Sequence, residues 1–174
     1  MSAERFLKYL KFEKRFSSHT LVAYENDLKQ FFHYLETNYK ITDVKQVTHP
    51  IIRSWMVHLM EGGITPRSVN RKITTLKTFY RHLMAEGKLK VNPMQKVQPP
   101  KMGKKLPVFV EKSSMDDLLD KTVFGNDFSG RMNLLILEML YGTGMRRSEL
   151  INLRTNDVDF SKGQVKVLGK RNKN

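Results

Sequence analysis

Apolar residues at helical spacing, cut into runs by explicit start and stop signals, constrain the first hundred residues of this chain most strongly. Ser18 reads as an N-cap, after which Leu21, Tyr24, Leu28, Phe31, Phe32 and Leu35 recur along one side up to the Asn38 region. A shorter helix fits Thr48 to Glu61, with Ile52, Trp55, Met56 and Leu59 inward, and Gly62-Gly63 ends it. Thr65 caps the next helix. Pro66 takes its first position, where the missing N–H costs least, and the helix runs to about Glu86. The N-terminal stretch MSAERFLKYLKFEKRF is also helical in pattern. The first hundred residues thus read as helices with short joints.

The segment Lys88 to Leu106 changes character. Asn92-Pro93, Pro99-Pro100 and Gly103 break the periodicity, Pro107 follows, and lysines are dense. It reads as a basic, proline-rich linker over 88–106 between a helical domain at 1–87 and a second domain at 107–174. In the second domain Ser113 or Ser114 offers a cap for a helix over Met115 to Leu119. The apolar run Met132 to Tyr141 predicts a buried helix ending at Gly142-Thr143-Gly144. Val158 and Phe160, then Val165 and Val167, alternate about the turn Ser161-Lys162-Gly163, which predicts a β-hairpin.

Charge narrows the choice of partner. Thirty-one Lys and Arg against 17 Asp and Glu give a net charge of +14, which favours nucleic acid ahead of a ribosome or an anionic membrane. On the helix after Thr65, Val69, Ile73, Leu76, Tyr80 and Leu83 form one stripe. Arg67, Asn70, Arg71, Thr74, Lys77, Thr78 and Arg81 fall opposite it. Between Gly62 and Lys105 the only acid is Glu86. An ordinary solvated face mixes signs, since Glu–Lys pairs four residues apart support a helix. One reading is therefore a plain cationic surface. The other is a helix laid along a DNA groove, its cations on phosphates and Asn70, Thr74 and Thr78 offering hydrogen bonds. The lysine-rich linker would then track the backbone as two domains close around a duplex.

In TGMRRSEL, Thr143 to Leu150, two arginines stand side by side after a glycine. Neighbours on a helix point about 100° apart, so they cannot share a face. With the helix phased from Met145, Arg146 falls among Met145, Leu150 and Leu153, and Arg147 turns toward the rim with Ile151. An inward guanidinium needs a partner. Glu149, three residues on, is within reach of it. Arg146 is then either half of a helix-holding pair or a fixed cation aimed at an anion such as phosphate.

Gly142-Thr143-Gly144-Met145-Arg146-Arg147-Ser148-Glu149-Leu150, with Leu153, Asp157-Val158 and Val167-Leu168-Gly169-Lys170, resembles the first half of the catalytic domain of tyrosine recombinases, the phage integrase and Xer-type enzymes. Ser18, Thr20, Tyr24, Asp27-Leu28 and Phe31-Phe32 look like the first long helix of that family's core-binding domain. Asn70-Arg71 through Phe79-Tyr80, with Gly87, Asn92-Pro93 and Pro99-Pro100-Lys101, resemble its last helix and linker. The resemblance implies a mainly α protein. It would have an N-terminal four-helix, SAM-like core-binding domain, then the first part of an α+β catalytic domain with its hairpin. Arg146 would match the arginine that holds the scissile phosphate, where a bidentate guanidinium stabilises developing negative charge. Glu149 would match a supporting acidic residue. Lys170 would match the lysine that protonates the leaving 5′ oxygen; on its own it reads as a solvated turn lysine among Lys166, Arg171 and Lys173.

The family also uses a downstream tyrosine nucleophile, a His-x-x-Arg and a further His or Trp. Tyr141 precedes the arginine motif, and all five histidines (His19, His33, His49, His58 and His82) lie in the N-terminal half. The expectation is thus site-specific recombination and integration chemistry for the family, with a chain cut off within the catalytic domain and catalytically incomplete. It is either a fragment of a working recombinase or a non-catalytic binder that occupies recombination sites. An RNA or ribosome binder rests on charge alone. Double-stranded DNA is the expected partner, with other recombinase protomers on that DNA in the full-length family and a monomer for this chain in solution. No cofactor or metal is implied. The chain has no cysteine, so it has no disulfide framework and no thiolate chemistry. No run approaches the ~18 apolar residues of a membrane span, and the N-terminus has no apolar targeting segment. A cytoplasmic protein is expected.

Overall fold

The computed structural model describes residues 2–103, 106, 108–121 and 124–167. They fall into two units, Met1–Lys105 and Leu106–Asn174.

The first unit is built on four helices: α1 (Ser2–Phe12), α2 (Ser18–Tyr39), α3 (His49–Glu61) and α4 (Pro66–Ala85). The N-cap of α2 is Ser17, whose hydroxyl accepts the Thr20 N–H; Ser18, expected in that role, is already helical. Lys40 ends α2 in the left-handed region at φ 54°. A 3-10 turn over Val44–Gln46, capped by Asp43, leads to α3. Thr65 caps α4 by accepting the Ser68 N–H, and Pro66 opens the helix. Helix α4 is the central element: α1, α2 and α3 all pack on it.

The core follows from the apolar stripes. Ile52, Trp55, Met56 and Leu59 of α3 are buried, as are Val69, Ile73, Leu76, Phe79, Tyr80 and Leu83 of α4. Phe6 of α1 meets Phe79 edge-on with centroids 5.3 Å apart, and Phe31 lies 4.8 Å from Trp55. These are favourable aromatic separations. The proline-rich segment is partly drawn into the same core, where Met94 and Val97 are buried.

In the second unit α5 (Lys112–Lys121) and α7 (Arg147–Ile151) pack on α6 (Phe128–Thr143). Helix α5 starts at Lys112, so Ser113 and Ser114 lie in its first turn rather than at its cap. Helix α6 begins four residues before Met132, capped by Asp127, whose carboxylate accepts the Gly130 N–H. It is not the buried helix its composition predicts. Among its described residues only Gly130 is buried, while Met132, Leu135, Ile136 and Tyr141 are exposed. A helix that is apolar all round needs neighbours on every side, and the described elements pack on it from two. Strands β1 (Val158–Asp159) and β2 (Gln164–Val165) form the predicted hairpin, antiparallel with Val158 opposite Val165.

Candidate nucleic-acid interface

The outer face of α4 carries the candidate contacts of the first unit. Arg67, Arg71, Thr74 and Arg81 are exposed, and Lys77, Thr78 and Asn70 are half-buried. Glu86, the single acid of this stretch, sits beyond the helix end. There it is engaged by Lys88 at 2.7 Å and Arg5 at 3.0 Å, with His82 at 3.4 Å. The hydrogen bond from Lys88 does most to hold its carboxyl below the usual range. Among the described residues Arg67, Lys77 and Arg81 have no acidic partner, and their charge is presented to solvent.

The polar residues of this face are not equivalent. The Thr74 hydroxyl donates to the Asn70 carbonyl and the Thr78 hydroxyl to the Thr74 carbonyl, each at 2.9 Å. In that rotamer each oxygen is left as an acceptor only. Phosphate requires donors, so the two threonines suit an amino group on a base edge better than the backbone. Asn70 donates to the Pro100 carbonyl at 3.1 Å, tying the end of the proline-rich segment to α4. Arg53 of α3 donates to the Lys96 carbonyl at 3.3 Å, tying the same segment to α3.

Arg71 has a partner that pattern reading missed. Its two terminal nitrogens donate to the two oxygens of Asp27, at 2.7 and 2.8 Å. Lys72, buried, donates to Asp27 Oδ1 at 3.0 Å and also to the Gln30 side chain. Thr75 donates to Asp27 Oδ2 at 2.9 Å. Asp27 is itself buried, 1% exposed, so four donors converge on one carboxylate inside the α2–α4 joint. The signal was present in the sequence. Asp27 lies in the apolar stripe of α2 and Lys72 in that of α4, and opposite charges in facing stripes call for each other.

In the second unit the arginine motif folds as follows. Gly144 ends α6 at φ +65°, a conformation that suits glycine. The Thr143 hydroxyl donates to the Met139 carbonyl and accepts the Met145 N–H, fastening the turn. Met145 is buried. Arg146 is the N-cap of α7, with extended backbone, and its side chain is 66% exposed. The inward orientation expected for it is thus corrected. The helix starts at Arg147, not Met145, so a projection of 100° per residue does not apply to Arg146. The pairing with Glu149 does form. The Arg146 N–H donates to Glu149 Oε2 at 2.8 Å and its guanidinium to Oε1 at 2.6 Å. These bonds, the backbone one first, hold the Glu149 carboxyl below the usual range. The result is a one-sided cap, both bonds running from Arg146 to the Glu149 carboxylate, that also sets the direction of the guanidinium. Arg147 is exposed. Lys170 lies outside the described residues, and α4 and the Arg146 turn belong to separate units.

The chain matches the phage integrase N-terminal SAM-like domain over residues 3–87 and the phage integrase family over residues 110–174. It belongs to the phage integrase family, the tyrosine recombinases. Tyrosine recombinase XerC of Staphylococcus haemolyticus (strain JCSC1435) is 39% identical over 168 residues, 97% of this chain and 56% of that protein. Tyrosine recombinase XerC of Oceanobacillus iheyensis is 38% identical over 173 residues, 98% of this chain and 55% of that protein. The chain spans a little over half the length of these relatives. Among solved structures, the Tn1549 transposon integrase in complex with circular intermediate DNA shares the fold. Its TM-score is 0.69 at 17% identity, over 91% of this chain and 51% of that one.

Proposed function

We propose that this chain is the DNA-gripping domain and the first part of the catalytic domain of a site-specific tyrosine recombinase acting in the cytoplasm. In this reading residues 1–87 hold duplex DNA, 88–106 connect, and 107–174 begin the reaction centre. Arg67, Arg71, Lys77 and Arg81 neutralise phosphates, and Thr74 and Thr78 accept from base edges. Asn70 fixes the path of the connecting segment. Arg146 holds the scissile phosphate, oriented by Glu149, and Lys170 passes a proton to the leaving oxygen. Other protomers of the full-length family would share the DNA.

The observation that carries this reading is the outer face of α4: exposed cations with no acid among them, on a helix whose other side is core. A protein that neutralises Z phosphates loses affinity with a log–log salt slope of about −0.9Z. Duplex binding followed by fluorescence anisotropy across a salt series should show a steep slope. The Arg67→Ala, Arg81→Ala double variant should flatten it by roughly two units. Parent-like binding by that variant at every salt would show that the face is merely solvated. Preference for structured RNA over duplex in competition would overturn the assignment of partner.

A further inference from the structure

Arg71 is the one cation of the α4 face that is held. We propose that Asp27 is a positioning residue for DNA binding. From inside the α2–α4 joint it locks the Arg71 guanidinium in one orientation and presents its remaining N–H groups to a phosphate. This rests on the reading of α4 as the DNA-facing helix and adds to it a residue that never touches DNA.

The hydrogen bonds around Asp27 argue for orientation over simple stabilisation. Lys72 and Thr75 already give each Asp27 oxygen one donor from a buried partner. Lys72, with its side chain 7% exposed, also balances the charge. The two bonds from Arg71 come on top of this, from a side chain that is 51% exposed. A half-solvated arginine gains little from an ion pair, and the joint is neutral without it. What the fork does achieve is geometry. Two parallel N–H···O bonds fix the guanidinium plane. Of its five N–H donors, three stay unused. The site as a whole keeps one positive charge, since two cations share one carboxylate. A long side chain tethered at its tip has surrendered its rotamer freedom before DNA arrives, which lowers the cost of binding.

The test exploits a conflict of sign. Asp27→Asn removes a negative charge beside the DNA face, so on Coulomb grounds alone it should tighten binding. Positioning predicts the reverse: roughly tenfold weaker duplex binding, the scale of one charge-assisted hydrogen bond lost. Affinity is measured on the whole chain by anisotropy, at a temperature where circular dichroism shows each variant fully folded. In the Arg71→Ala background, Asp27→Asn should cause no further weakening. Arg71→Lys keeps the charge but cannot form the fork. It should bind severalfold more weakly with an unchanged salt slope, and it decides the matter alone if Asp27→Asn does not fold. Parent-like or tighter binding by Asp27→Asn, or parent affinity for Arg71→Lys, overturns the proposal. The Arg67→Ala, Arg81→Ala variant separates the two ideas. If it flattens the slope while Asp27→Asn binds tightly, only positioning fails. If it changes nothing, the DNA-facing assignment of α4 fails first.

Discussion

Glu149 grips Arg146 from two sides, through its backbone N–H and its guanidinium, and both bonds need the ionised carboxylate. The folded-state value of Glu149 is therefore lowered relative to an unfolded carboxyl near 4.3. A group lowered on folding contributes stability that is present above its unfolded value and lost as pH falls through its folded one. The cap should hold unchanged from neutral pH down to about 4.5 and release below that. An NMR titration of the Glu149 side-chain carboxyl and the Arg146 amide tests this. Both should move together, with one midpoint below the ordinary glutamate value. Independent midpoints, or one at the ordinary value, would mean that the pair does not form in solution. The pair was legible in the sequence because reach at three residues is a local property. The direction of Arg146 was not, because it hinges on which residue starts the helix, and a shift of one residue turns every side chain by about 100°.

Among the elements, α4 was the most legible, since cap, opening proline, stripe and end all lie within one stretch of sequence. What escaped was its link to α2, because Asp27 and Lys72 meet only in three dimensions, 45 residues apart. Helix α6 misled for a related reason: composition states how apolar a helix is, not how many neighbours cover it. The proline-rich segment shows the same dependence on packing. Nothing periodic marks Met94 or Val97, yet both are buried in the helical core. Their neighbourhood is pinned by Arg53 at Lys96 and Asn70 at Pro100. Met94→Ala should therefore cost about 2–3 kcal/mol, as for a buried methionine truncated in a core. It should also speed tryptic cleavage after the exposed Lys96. Urea midpoints and limited proteolysis measure the two effects. Unchanged stability with unchanged cleavage would show that the segment does not pack on the helices.

For the whole molecule the decisive contrast is where apolar surface is buried. Among the described residues, nineteen of the twenty buried hydrophobic ones belong to the first unit; the other, in the second, is Met145. Burial contributes roughly 1.5–3 kcal/mol per large side chain, so the described part of the second unit has little to oppose the entropy of ordering its chain. Its helices cannot make up the difference alone. Helices α5 and α7, at 10 and 5 residues, fall short of the roughly 12–15 residues below which isolated helices are marginal in water, and α6, at 16, only just exceeds that length. The two units should therefore unfold separately. The chain carries its own reporter: its single tryptophan, Trp55, is 1% exposed in the core of the first unit. Its fluorescence should ignore the second unit altogether, whereas far-UV circular dichroism sees both. In a urea titration of this 174-residue chain, ellipticity should begin to fall before Trp55 emission changes. The two signals should then share a second, cooperative transition. Adding duplex DNA should move that second transition to higher urea, by mass action on the folded first unit, and leave the early loss of ellipticity in place. A single transition, coincident by both probes, would mean that the two units fold as one and that the second draws its stability from the first.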